Sequence, residues 1–91
     1  MQNKTHAQFV YLISYYHENP SMSKKDLQKF GKKLKFLRTD KKLTQLELAE
    51  ILNMSPNFIG MIERGERNTT VENVFNIARA LKVKPSSLFE D

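Results

Sequence analysis

Apolar residues recur three and four positions apart along most of this 91-residue chain. This spacing places them on one face of a helix. The clearest run is Leu27, Phe30, Leu34 and Leu37, which forms one apolar stripe among lysines and predicts a helix from Ser23 to about residue 41. Three prolines and three glycines in the whole chain favour helices joined by short turns. The pattern predicts an all-α fold.

Residues that cap helices divide the next part of the chain. Thr44 followed by Glu47 is typical of a capping box and begins a short helix that ends at Asn53. Asn tolerates left-handed backbone geometry, so a tight turn there costs little. Ser55 caps the following helix, with a proline at its first position, and Gly65 ends it. Two short helices separated by a tight turn are therefore expected over 44–52 and 55–64.

Two further helical elements follow. Thr69 or Thr70 caps a helix whose apolar positions run to Leu81. Pro85 opens a last short helical turn, which would fold Leu88 and Phe89 back onto the core. The domain predicted from these elements covers residues 23–91.

An apolar segment precedes this domain. Residues 5–17 place Phe9, Ile13 and Tyr16 on one face of a predicted helix, and residues 1–22 are interpreted as an N-terminal helical extension. The segment carries more apolar surface than a solvated tail needs. Packing on its own domain and embracing a partner subunit are both open.

The balance of charge favours polyanionic partners. Fifteen Lys and Arg against ten Asp and Glu give a net charge of +5. Nine of the cations lie within residues 24–42, although a solvated helix face is the simpler explanation of that cluster. The longest apolar run is too short to span a bilayer, so no membrane association is expected.

Nothing in the sequence points to catalysis. The chain has no cysteine, which excludes disulfides, thiolate zinc sites and thiol chemistry and makes a cytoplasmic location the default. His6 and His17 lie eleven residues apart without a nucleophile or a phosphate loop beside them, and we interpret them as surface residues. We expect no cofactor, no metal and no small-molecule effector.

The region from Gly31 to Phe89 carries a specific set of motifs. These are Arg38, Thr44-Gln45, Leu48-Ala49, Ser55 with Ile59, Ile62-Glu63-Arg64-Gly65 and Arg67-Asn68. With them the chain resembles the helix-turn-helix family of phage repressors and Cro proteins. The resemblance implies a five-helix, lambda-repressor-like domain, with 44–52 as the positioning helix and 55–64 as the recognition helix. The predicted N-terminal helix would be an addition to it.

The chain departs from the family pattern at helix ends. Lys42 and Asn53 stand where the family usually has glycine, and Lys42 is expected to carry some strain. Gly31 lies inside a helix, which indicates close packing. The resemblance also implies an ion pair between Arg38 and Glu63, the alternative being two independent surface charges.

The resemblance implies that the recognition helix enters the major groove of double-stranded DNA. Base readout is predicted for Asn57, Phe58, Gly60, Met61 and Arg64, and phosphate contacts for Thr44, Gln45, Ser55, Arg67 and Asn68. Asn57 can pair with adenine, but few readers are polar, so DNA shape is expected to contribute. For Ser55, Asn68 and Phe58 a purely structural role, as a cap, a turn or core packing, stays open.

The family relationship further implies a homodimer on a pseudo-palindromic operator. The predicted dimer interface consists of Val71, Phe75, Val83, Leu88 and Phe89. The motif around Glu63, with the small size, favours a controller protein of a restriction-modification system, although phage repressors, antitoxins and metabolic regulators share much of the pattern. A protein-interaction adaptor that kept the fold without DNA binding is the alternative from another class.

Overall fold

The computed structural model describes residues 23–90 and, before them, Val10 alone. Four α-helices and one 3₁₀ helix make up this part of the chain: α1 (Lys24–Asp40), α2 (Gln45–Leu52), α3 (Pro56–Glu63), α4 (Val71–Leu81) and the 3₁₀ helix (Pro85–Phe89). The predicted all-α, helix-turn-helix fold is confirmed. The count of five α-helices is not, because the last element is a five-residue 3₁₀ helix. The predicted N-terminal helix lies outside the described residues, apart from Val10.

The first helix begins where its capping residue predicts. The Ser23 hydroxyl accepts a hydrogen bond from the Asp26 backbone N–H at 3.1 Å, which satisfies one unpaired donor of the first turn. Phe30, Leu34 and Leu37 are buried on one face. A Cβ added to Gly31 would lie 2.4 Å from the Ile62 carbonyl oxygen. Glycine at this position therefore lets α1 reach the backbone of α3, as close packing predicted.

The turns around α2 follow the capping residues. Thr44 and Glu47 form the predicted capping box, with the Glu47 N–H 3.0 Å from the Thr44 hydroxyl and the Thr44 N–H 2.8 Å from the Glu47 carboxylate. Asn53 has a φ of 57° and Lys42 a φ of 60°. Both positions require left-handed backbone, which asparagine tolerates and lysine does not favour. Strain at Lys42 is what its departure from glycine predicted.

Thr70, rather than Thr69, caps α4, and its hydroxyl accepts a bond from the Asn73 N–H at 3.1 Å. The helix ends at Lys82 in left-handed geometry, with a φ of 59°. The left-handed backbone at Lys82 was not predicted, because lysine gives no signal for positive φ.

The 3₁₀ helix closes the core. Leu88 is 1% exposed among the core side chains, and the rings of Phe30 and Phe89 lie 5.4 Å apart. Leu88 therefore packs in the core, as predicted for the last turn, and leaves no surface for the dimer interface in which it was also predicted. Val71, Phe75, Val83 and Phe89 are half-buried.

The arrangement of the helices determines what α3 can present. Both α1 and α2 pack against α3, whereas α4 packs against α2 and the 3₁₀ helix. The core between them includes Leu34, Leu48, Ile59, Ile62 and Ile77, all at most 1% exposed. Held from two sides, α3 keeps its remaining face at the surface.

Candidate nucleic-acid interface

Helix α3 has one face in the core and one at the surface. Ile59 and Ile62 point inward, while Asn57 is exposed and Met61 is half-buried. Ser55 caps the helix, and its hydroxyl accepts a bond from the Phe58 N–H at 3.1 Å. The surface face of α3 is thus the one on which sequence analysis placed the base-reading residues.

A buried ion pair joins α1 to the end of α3. Arg38 Nε lies 2.6 Å from Glu63 Oε2 and Arg38 Nη2 lies 3.1 Å from Glu63 Oε1. The third nitrogen, Nη1, donates to the Leu43 carbonyl at 2.7 Å. The two side chains are 8% and 2% exposed, so neither is a surface charge. Because each charge meets several partners, the pair can stay ionised in the core.

Gln45 connects this ion pair to the surface. It is the first residue of α2, and its Nε2 donates to Glu63 Oε1 at 3.0 Å. An ionised carboxylate only accepts hydrogen bonds, so the amide must turn its NH₂ group towards Glu63. The unpaired backbone N–H groups of the first turn of α2 lie beside it. Gln45 is therefore held in one orientation where an anion is favoured.

The side chains of Arg64 and of Gln45, from α2, both lie close to Gly60 of α3. A Cβ added to Gly60 would lie 3.1 Å from Arg64 Nη1 and 3.4 Å from Gln45 Oε1. Gly60 is itself buried, and a direct contact with a base would require the two side chains to move away. Arg64 Nε also pairs with Glu66 Oε2 at 3.1 Å. The pairing of Glu66 with Arg64 was not predicted from the sequence.

The remaining candidate readers form two local contacts. Asn57 Nδ2 lies 3.6 Å from the Met61 sulfur, a weak bond that water or a base could replace. Phe58 packs partly against the core, and the guanidinium of Arg67 lies 5.2 Å from its ring centre. Phe58 therefore has the partial core role that was left open, and it also positions a cation at the surface.

Three predicted phosphate contacts also have structural partners. The hydroxyls of Thr44 and Ser55 accept capping bonds, and the Asn68 side-chain oxygen accepts a bond from the Thr69 N–H at 2.8 Å. A hydroxyl that accepts one bond still has its own hydrogen to donate. Capping and phosphate binding by Thr44 and Ser55 are thus compatible, and their DNA contacts stay predictions.

Within residues 23–90, no group of three or more His, Cys, Asp or Glu side chains could hold a metal ion. None of the helices in that range has the length and apolarity needed to cross a membrane.

Comparison with known proteins places this geometry in a family. A family model described as helix-turn-helix matches residues 34–88, which include α2, α3 and the ion pair. The chain belongs to this helix-turn-helix family. Within it, the chain is 36% identical over 62 residues to the control protein C.BamHI of Bacillus amyloliquefaciens, covering 67% of this chain and 76% of that protein.

The chain is also similar to two further proteins, and it covers a different share of each. The restriction-modification controller protein C.AhdI of Aeromonas hydrophila superposes with a TM-score of 0.68 at 42% identity, covering 70% of this chain and 97% of that one. The immunity repressor protein of Bacillus phage phi105 is 34% identical over 58 residues, covering 64% of this chain. The chain spans 40% of that repressor's length.

Proposed function

We propose that this helix-turn-helix protein is a sequence-specific, DNA-binding transcription regulator of the cytoplasm, with a binding rather than a catalytic role. Helix α3 enters the major groove, with Asn57, Phe58, Met61 and Arg64 towards the bases. Gln45, with Thr44, Ser55, Arg67 and Asn68, contacts phosphates on either side. The observation that carries the proposal is the surface face of α3, which the Arg38–Glu63 pair and the core hold in place while Asn57 and Arg64 stay exposed.

The physical support comes from complementarity to a duplex. A helix fits the major groove, and residues near its N-terminus reach base edges. The capped N-termini of α2 and α3 present backbone N–H groups and a favourable dipole to phosphates. A net charge of +5 adds long-range attraction.

Selection from a random pool of DNA duplexes at near-physiological salt tests this proposal. Enrichment of a sequence with two half-sites about one helical turn apart is expected. Retention without enrichment, with binding that disappears as salt rises, would contradict it and favour an adaptor or a non-specific binder.

Asn57→Ala tests base readout on the selected duplex. We expect binding to weaken roughly 5- to 100-fold and the preference for one A·T pair to disappear, because asparagine pairs in two ways with adenine. Asn76→Ala is the matched control, since Asn76 lies on α4, which packs against α2 and the 3₁₀ helix. Equal effects of the two variants would remove Asn57 as a reader.

We also propose a homodimer that uses the half-buried apolar residues Val71, Phe75, Val83 and Phe89. A twofold dimer would match the symmetry of a pseudo-palindromic operator. Sedimentation of the full chain should give the mass of a dimer. Val71→Glu should shift the mass towards the monomer while the helical circular dichroism is retained, and an unchanged mass would place the interface elsewhere.

Among regulators, we propose a controller of a restriction-modification system. The support is the 42% identity to C.AhdI over nearly the whole of that controller. If the selected sequence lies upstream of genes for a restriction enzyme and a methyltransferase, this assignment stands. If it lies only at prophage or toxin genes, the assignment fails while the regulator remains.

A further inference from the structure

The position of Arg64 on α3 is unusual for a base reader. Arg64 is the residue that ends the helix, about one turn beyond the part of a recognition helix that normally reaches base edges. Its side chain nevertheless lies back over Gly60, since Nη1 would be 3.1 Å from a Cβ at that residue. Helical side chains lean towards the N-terminus, so a residue four positions later covers Gly60.

One ion pair engages the guanidinium in this place. Glu66 Oε2 accepts from Nε at 3.1 Å, which leaves the two terminal nitrogens for other acceptors. Gln45 also lies close to Gly60, with its amide oxygen and nitrogen 3.4 and 3.5 Å from the same Cβ position. Glu63 in turn holds the Gln45 amide at 3.0 Å.

We infer that Gly60 is a specificity-determining positioning residue: its missing side chain seats Arg64 across α3 so that Arg64 reads a guanine. The inference rests on the proposed function. A planar guanidinium pairs in two ways with O6 and N7 of guanine, a pattern that no other base presents in the major groove. Gly60 contributes space and makes no base contact itself.

An alanine at residue 60 should separate readout from folding. Its Cβ would meet the flexible end of Arg64 at 3.1 Å, so the guanidinium must shift by a few tenths of an ångström while the backbone stays in place. Alanine also favours the helix over glycine. Gly60→Ala should therefore keep or raise Tm and yet displace Arg64.

The experiment uses the full chain. For each position of the half-site, four duplexes carry the selected sequence with each base pair in turn at that position. Wild-type protein should prefer G·C over the others by roughly 5- to 100-fold at one position. Arg64→Gln should abolish that preference, and Gly60→Ala should lower it at the same position without lowering Tm. Arg79→Gln, which removes an exposed arginine from α4, should leave it unchanged.

A double variant makes the test specific to positioning. If Gly60 acts through Arg64, then Arg64→Gln should cost little further discrimination in the Gly60→Ala background. A full-sized loss in that background, or a Gly60→Ala protein with the wild-type preference for G·C, would overturn the inference while leaving a sequence-specific regulator. If wild-type protein enriches no sequence from the random pool, the proposed function and this inference both fail.

Discussion

Two ion pairs lie side by side in this protein and differ most in their burial. Glu63 pairs with Arg38 and the next residue, Arg64, pairs with Glu66. The first pair has side chains 8% and 2% exposed, whereas the second has 55% and 52%. A buried charge has lost its hydration, so stability depends strongly on its partner. An exposed charge stays hydrated, so its partner contributes little to stability. Ion pairs of like chemistry at adjacent positions therefore have different roles: the buried pair joins α1 to α3, and the exposed pair lies at the surface that we propose meets DNA.

The largest effect is expected from breaking the buried pair on one side. Arg38→Ala leaves the Glu63 carboxylate buried without its counter-charge, and we expect a loss of about 3–5 kcal/mol in the free energy of unfolding. Urea titration measures it. Arg38→Met with Glu63→Leu removes both charges and should recover most of that loss. A double variant no more stable than Arg38→Ala would show that the pair itself, and not the orphaned charge, decides the stability.

A smaller loss of stability is expected where α1 contacts the backbone at the end of α3. Gly31→Ala places a Cβ 2.4 Å from the Ile62 carbonyl oxygen and 2.5 Å from that of Glu63. Backbone cannot yield as a side chain can, so α1 must shift, at a cost of about 1–3 kcal/mol. Thermal unfolding measures it, with Gly60→Ala as the matched glycine control. Equal Tm values for the two variants would contradict the contact.

The bond from Gln45 to the buried pair should contribute less. Gln45→Met keeps the length of the side chain but removes the donor to Glu63 Oε1. The Glu63 carboxylate then keeps two bonds from Arg38, one at each oxygen. We expect a loss of about 1 kcal/mol, the usual net value of one hydrogen bond. Urea titration beside Leu46→Met, an exposed position on the same helix, gives the comparison. No difference between the two would mean that Glu63 does not hold the Gln45 amide.

The exposed pair is expected to have the smallest effect on stability. Glu66→Ala should change the free energy of unfolding by less than about 0.5 kcal/mol, and raising the salt concentration should remove even that, since exposed charges are screened. Thermal unfolding at low and high salt measures both. A loss comparable with that of Arg38→Ala would erase the distinction between the two pairs.

Much of the fold was predictable because its signals are local. Capping side chains act within three residues, so the caps at Ser23, Thr44 and Ser55 were visible in the sequence, and the apolar spacing located the core stripe of α1. Local signals failed at Lys82, because lysine gives no sign of a positive φ. At Leu88 they predicted both the core and the dimer interface, and the 3₁₀ helix turns this side chain fully inward. The side of an amphipathic turn that a core covers depends on its neighbours, not on its own pattern.

The sequence by itself thus determined the helices, their ends, the cationic character and, through its motifs, the face of α3 that should meet DNA. Only the tertiary structure decided which side chains meet between helices. Gln45 and Glu63 stand eighteen residues apart, and the approach of Gln45 to Gly60 depends on how α2 crosses α3. Contacts between helices follow from packing angles and distances, which spacing along one helix does not encode.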